Sequence, residues 1–166
     1  VYFDKAHMRD STTVLRASSS IPVFSPIVTY EGKRYLDGGT SDPIPVRRAL
    51  EEGCDRLVVV LTRPAGYRKK PESGRVLYRR IYRKYPGMIA CLDHRHEVYN
   101  EDLDFVAELE KQGKAKVLRP PLSIKIDRFE KDPKVLDALY AAGYRDAADL
   151  KAWLAIPDDR AAGSVS

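Results

Sequence analysis

Tyr35-Leu36-Asp37-Gly38-Gly39-Thr40-Ser41-Asp42-Pro43-Ile44-Pro45-Val46 is the stretch on which the reading of this 166-residue chain turns. Tyr35 and Leu36 close an extended segment, and Asp37 to Pro43 is dense in turn formers. Pro45 then opens a helix that runs to Gly53, with Pro at the first turn and Gly past the end. Upstream, Ile27-Val28-Thr29-Tyr30 and Lys33-Arg34-Tyr35-Leu36 flank Glu31-Gly32, a compact hairpin signal. Before the hairpin, Ser11 to Ser18 predicts a short helix with a Ser or Thr cap, stopped ahead of Pro22.

Downstream, Arg56-Leu57-Val58-Val59-Val60-Leu61-Thr62 is the clearest strand. Its unbroken apolar run predicts burial on both faces, as in a parallel sheet covered by helices. Ser73 to Tyr85 reads as a helix, broken by Pro86-Gly87, and Met88 to Gln112 as a long one. Lys116 to Arg119 reads as a short strand, and Lys131 to Ala142 and Arg145 to Leu154 as two helices around Gly143. Strands alternating with helices imply an α/β architecture. Residues 1–155 are expected to form the folded part, and residues 156–166 a frayed tail.

Composition bounds the function classes. The hydrophobic share of 43% is near the globular norm, which argues against wholesale disorder. No run of about 18 apolar residues is present to form a membrane-spanning helix. Cys54 and Cys91 are too few for a disulfide framework and read as small buried hydrophobes, which favours a reducing, cytoplasmic compartment. The chain opens Val1-Tyr2-Phe3-Asp4, without a basic start and apolar core, and reads as a piece of something longer.

The net charge of +5 is concentrated in one place. Arg63 to Lys84 holds nine basic residues and one acidic residue, while the rest of the chain carries 20 basic and 23 acidic side chains. Within it, Leu77, Tyr78, Ile81, Tyr82 and Tyr85 form an apolar, aromatic stripe among Arg75, Arg79, Arg80, Arg83 and Lys84. Such a helix can lie on an anionic bilayer with tyrosines at headgroup level. It can equally pack its stripe on the core and leave its charges in water. Arg75, Tyr78, Arg79, Arg80, Tyr82 and Arg83 are the candidate lipid-surface contacts. No nucleic-acid motif accompanies the patch, so no nucleic-acid partner is expected. His94 and His96 lie two apart on a helix and diverge, and their spacing matches no zinc signature.

Ala17-Ser18-Ser19-Ser20-Ile21-Pro22-Val23-Phe24-Ser25-Pro26, the hairpin, and Tyr35 to Val46 together resemble the second half of a bacterial patatin-like phospholipase or esterase. The resemblance continues through the Leu57–Thr62 strand, Asp93-His94-Arg95-His96-Glu97-Val98-Tyr99-Asn100 and Arg119-Pro120-Pro121, ending near Glu130-Lys131-Asp132. It implies the C-terminal part of a three-layer α/β/α domain. It also implies a Ser-Asp dyad, in which Asp37 is the catalytic carboxylate and Gly38 and Gly39 support its loop. A carboxylate serving as base must be held within hydrogen-bond reach of the serine hydroxyl. Two glycines are expected to let the chain turn sharply there at positive φ. The bland alternative is an ordinary Asp-Gly turn.

The nucleophile of such enzymes lies in Gly-x-Ser-x-Gly, and no such pentapeptide occurs here; nor does a Gly-rich oxyanion loop. The expectation is a lipid acyl hydrolase in the parent protein and an inactive piece by itself. Ser18, Ser19 and Ser20 are read as packing and helix-ending residues rather than nucleophiles. An actin-like phosphate loop is a poor fit because Pro43-Ile44-Pro45 leads into a helix, and the Asp-x-Asp-Gly-Thr phosphatase pattern lacks an aspartate. The alternative function is a non-catalytic lipid-surface or interaction module that keeps Asp-Gly-Gly for structure. No metal or organic cofactor is implied. The expected partners are a lipid or acyl-ester substrate and an anionic membrane, with location at the inner membrane face. A strand left with an open edge or uncovered face is expected to self-associate.

Overall fold

Glu31 and Gly32 adopt φ of 48° and 72°, the left-handed pair that a tight two-residue hairpin requires. They join β1 (Val28–Tyr30) to β2 (Lys33–Tyr35), antiparallel, with Val28 opposite Tyr35. The computed structural model describes residues 1–8, 12–124 and 130–155. The expected frayed tail, 156–166, lies outside the described residues.

These residues form two compact units. The first joins Val1–Pro45 to Arg68–Phe105. It holds a 3-10 turn (Lys5–Met8), α1 (Thr13–Ser18), the hairpin, a second 3-10 turn (Gly38–Thr40) and α3 (Arg75–Ile81). It also contains α4 (Pro86–Lys111) as far as Phe105. Thr12 stands at the N-cap of α1 but makes no side-chain cap bond. With φ of −78° and ψ of 1° it lies outside the extended conformation that N-caps use. Val14 and Ala17, three apart, form the buried side of α1.

The core of this unit is built on Tyr78, Tyr82 and Leu92, with Ile27, Leu36, Tyr85, Met88 and Ile89 packed against them. Both buried tyrosines satisfy their hydroxyls. Tyr78 Oη donates to Asp93 Oδ1 at 2.6 Å, and Tyr82 Oη accepts from Val23 N at 2.8 Å. The predicted five-residue stripe is therefore narrower in fact. Leu77 and Ile81 are exposed, because a seven-residue helix turns only a strip about 100° wide toward one neighbour.

The second unit joins Val46–Tyr67 to the described residues from Val106 onward. It contains α2 (Val46–Glu51), β3 (Leu57–Val60), β4 (Ala115–Leu118), α5 (Pro133–Asp146) and α6 (Leu150–Ala155). β3 and β4 pair in parallel, from Leu57 opposite Ala115 to Val60 opposite Leu118, which needs a long crossover between them. Helices and both sheets bear out the α/β class.

Three expectations are corrected by the structure. β3 is buried on one face only: Leu57 and Val59 are inside, whereas Val58 is 38% and Val60 70% exposed. Among the described residues this sheet has two strands, too few to carry cover on both sides. Gly143 does not divide two helices, because α5 runs through it and ends at Asp146; Asp132 caps its start by accepting from Lys134 N at 2.9 Å. Cys54 is exposed, and Cys91, on α4, is half-buried rather than buried. Among the described residues, no helix is long and apolar enough to cross a membrane.

Candidate functional site

Asp37 follows β2 after Leu36 and sits where the chain leaves the hairpin. Its backbone N–H donates to Ser20 O at 2.9 Å, tying the loop to the residues just after α1. Its Oδ1 accepts from Gly39 N at 2.7 Å, so the carboxylate caps the Gly38–Thr40 turn. The backbone closes the same turn: Thr40 N donates to Asp37 O at 3.1 Å, and Asp42 N to Gly38 O at 2.9 Å. Asp37 is half-buried, and its Oδ2 has no hydrogen bond among the described residues. A carboxylate fixed by one oxygen and open at the other can receive a proton from a neighbouring hydroxyl.

The glycines act by space rather than by φ. Neither Gly38 nor Gly39 has a positive φ, because the chain turns in 3-10 geometry, which L-residues adopt freely. A Cβ on Gly39 would stand 3.1 Å from Asp37 Oδ1, tighter than ordinary contact, whereas one on Gly38 would meet only Ser18 Oγ at 4.0 Å. Gly39 is the position that the carboxylate needs empty.

Arg95, on α4, reaches this loop from 56 residues away. Its Nε donates to Gly39 O at 2.8 Å and its Nη1 to Glu72 Oε1 at 3.1 Å. Glu72 also pairs with Lys69 Nζ at 2.8 Å. Burial alone would raise the Glu72 carboxyl, but Lys69 and Arg95 together hold it below the usual glutamate range. Asn100 fastens the Lys69 backbone in both directions, accepting from Lys69 N at 2.8 Å and donating to Lys69 O at 3.1 Å. The Asp-Gly-Gly loop is thus braced by a chain of charge-assisted bonds. Sequence reasoning missed Arg95 and Glu72. Arg95 stood inside a quoted motif, but nothing in its spacing from Gly39 signals the contact.

Thr40 is 3% exposed and its Oγ1 has no hydrogen-bond partner. Ser20 is buried and donates to Arg16 O at 2.7 Å, while Ser18 and Ser19 are exposed. A cleft of about 320 Å³ lies against the loop, with Gly38, Gly39, Ser41 and Asp42 on one side and Phe3 and Val14 among its other walls. Tyr2 Oη donates to Asp42 Oδ2 at its rim.

The six candidate lipid contacts divide. Tyr78 and Tyr82 are 4% and 3% exposed, so neither stands at a surface; Tyr78 occupies the inward strip of α3, and Tyr82, directly after the helix, packs into the same core. Burial, then the bond to Asp93, keep the Tyr78 hydroxyl protonated beyond its usual range. Arg75 and Arg79 are exposed but engaged by Asp93, at 3.2 and 2.5 Å. The hydrogen bonds from Tyr78 and Arg79 hold the Asp93 carboxyl below its usual range. Arg80 and Arg83 are exposed and make no ion pair among the described residues. His94 Nδ1 lies 2.7 Å from Glu97 Oε2, and among the described residues no three His, Cys, Asp or Glu side chains gather as a metal set.

Comparison with known proteins divides the chain in two. Residues 85–154 match a family model described as a domain of unknown function, DUF6363. The chain is 35% identical over 111 residues to the uncharacterized protein YjjU of Escherichia coli (strain K12), a stretch covering 65% of this chain and 31% of that protein. Residues 4–50 match the model of the patatin-like phospholipase family. That match takes in α1, the hairpin and the Asp37-Gly38-Gly39 turn.

Proposed function

We propose that this chain supplies the carboxylate base of a lipid acyl-ester hydrolase, with Asp37 in that role. The observation that carries the reading is the state of Asp37 itself: Oδ1 is spent on Gly39 N and Oδ2 is left open, at the end of a strand and inside a patatin-like match. The serine would come from a Gly-x-Ser-x-Gly turn that these 166 residues do not contain. Only 31% of YjjU aligns with this chain, which leaves room in such a polypeptide for that turn. Asp37 Oδ2 takes the serine proton as the oxygen attacks the ester carbonyl. The acyl-enzyme then forms with loss of the alcohol, and water releases the acid. Residues 1–155 are read as part of that hydrolase domain. The chain alone is expected to be inactive and to self-associate, a reading that exposed Val58 and Val60 support.

Asp37→Asn in the full-length protein tests the assignment. Asparagine keeps the Oδ1 acceptor for Gly39 N, so the loop stays formed while the base is lost. Hydrolysis of a p-nitrophenyl ester should fall by about 10²-fold or more, with circular dichroism unchanged. A folded variant with full activity would sink the reading.

A further inference from the structure

α3 buries Tyr78, and Tyr82 directly after it, and turns an unusual surface outward. Val76 is 84% exposed and Leu77 53%, with Ile81 beside them. Arg80, Arg83 and Lys84 are interleaved with these apolar side chains, all exposed and all without an ion pair among the described residues. Ser73 to Leu92 contains no acidic residue, and Asp93, the next one, is occupied by Arg75 and Arg79.

The Ile21–Ser25 turn is fastened to the end of this helix by the bond from Val23 N to Tyr82 Oη. Val23 holds φ of 75°, a conformation that β-branched residues avoid. The turn exposes Ile21, Val23 and, at 84%, Phe24. An ordinary surface helix shows water its polar side; this one shows water aliphatic side chains between unpaired cations.

We propose that the outward face of α3, with the Ile21–Ser25 turn beside it, docks this unit on an anionic phospholipid bilayer. Charge complementarity selects the occupant: Arg80, Arg83 and Lys84 meet phosphate headgroups, while Val76, Leu77 and Phe24 enter the headgroup–acyl boundary. This contact set replaces the buried tyrosines and the Asp93-bound arginines with residues that face solvent. It is independent of the catalytic role of Asp37.

Co-sedimentation of the chain with phosphatidylglycerol–phosphatidylcholine vesicles tests it. Phosphatidylcholine vesicles are the neutral control. Binding to the anionic vesicles should exceed neutral binding about tenfold and fall as salt screens it. Arg80→Glu with Arg83→Glu should abolish the preference, and Val76→Ser with Leu77→Ser should weaken binding while keeping its salt dependence. Lys151→Glu, a charge change on α6, should bind as the parent does. If the double Glu variant loses helicity, Arg80→Gln with Arg83→Gln takes its place. Equal binding to both vesicle types, no binding to either, or an equal loss in Lys151→Glu overturns the proposal.

Discussion

Arg95 Nε donates to the Gly39 carbonyl oxygen at 2.8 Å, joining the middle of α4 to the turn that positions Asp37. The same guanidinium holds Glu72, so one side chain bridges two segments that the hairpin alone does not fix. Arg95→Ala should leave Gly39 O without its donor and cost about 1–3 kcal/mol in urea unfolding. In the full-length protein, ester hydrolysis should fall by about 10–100-fold through a misplaced Asp37. Arg95→Lys, which cannot donate in two directions from a rigid fork, should recover only part of either loss.

The two glycines of the turn should behave differently. Gly39→Ala places a Cβ 3.1 Å from Asp37 Oδ1 and should lower hydrolysis by about tenfold or more. Gly38→Ala meets only an ordinary contact with Ser18 Oγ and should keep near-parent kinetics. Equal losses at both positions would show that backbone freedom, not space, is what the turn requires.

Glu72 predicts an acid dependence. Its carboxyl is held below the unfolded value by Lys69 and Arg95. Its contribution to stability is therefore fully present above the ordinary glutamate range near 4.5. It is lost as pH falls through the lower folded value. Urea unfolding of the parent and of Glu72→Gln should differ at pH 7 and converge as pH drops below about 4.

Tyr82→Phe removes the acceptor for Val23 N and leaves the ring in place. It should cost about 0.5–1.5 kcal/mol in urea unfolding and loosen the strained Ile21–Ser25 turn, seen as faster amide exchange at Val23. Tyr82→Ala also empties the core and should cost about 3–5 kcal/mol.

Gly143 lies within α5 with no atom within 4 Å of a built Cβ and no positive φ. Gly143→Ala should raise stability by about 1 kcal/mol through helix propensity. A thermal melt reads the change; a lower midpoint would mean that the residue serves something other than α5.

Much of this was legible from residues alone where the cause is local. Glu31-Gly32 demands the left-handed pair that closes the hairpin, and the run from Met88 onward reads as the long helix α4, although Pro86, which reads as a break, is where that helix begins. The alternation of elements implies the α/β class, and the turn formers after Leu36 placed Asp37 at the end of the hairpin. Local signals misled where a neighbour decides the outcome. The apolar run of β3 predicts burial on both sides, yet the sheet it forms, two-stranded among the described residues, leaves Val58 and Val60 exposed. Gly143 looked like a stop, although nothing around α5 makes it one. Gly38 and Gly39 looked like residues kept for φ, and their backbone is ordinary.

The sequence by itself determined the turn chemistry, the strand–loop–helix order around Asp37, and the concentration of positive charge between Arg63 and Lys84, because each depends on residues within a few positions of one another. Only the tertiary structure decided that Arg95 grips Gly39, that Asp93 claims Arg75 and Arg79, and that Tyr78 and Tyr82 turn inward while Val76, Leu77 and Arg80 face water. Those outcomes depend on side chains far apart along the chain, or on which strip of a helix meets a neighbour. Spacing lists the candidates, and packing chooses among them.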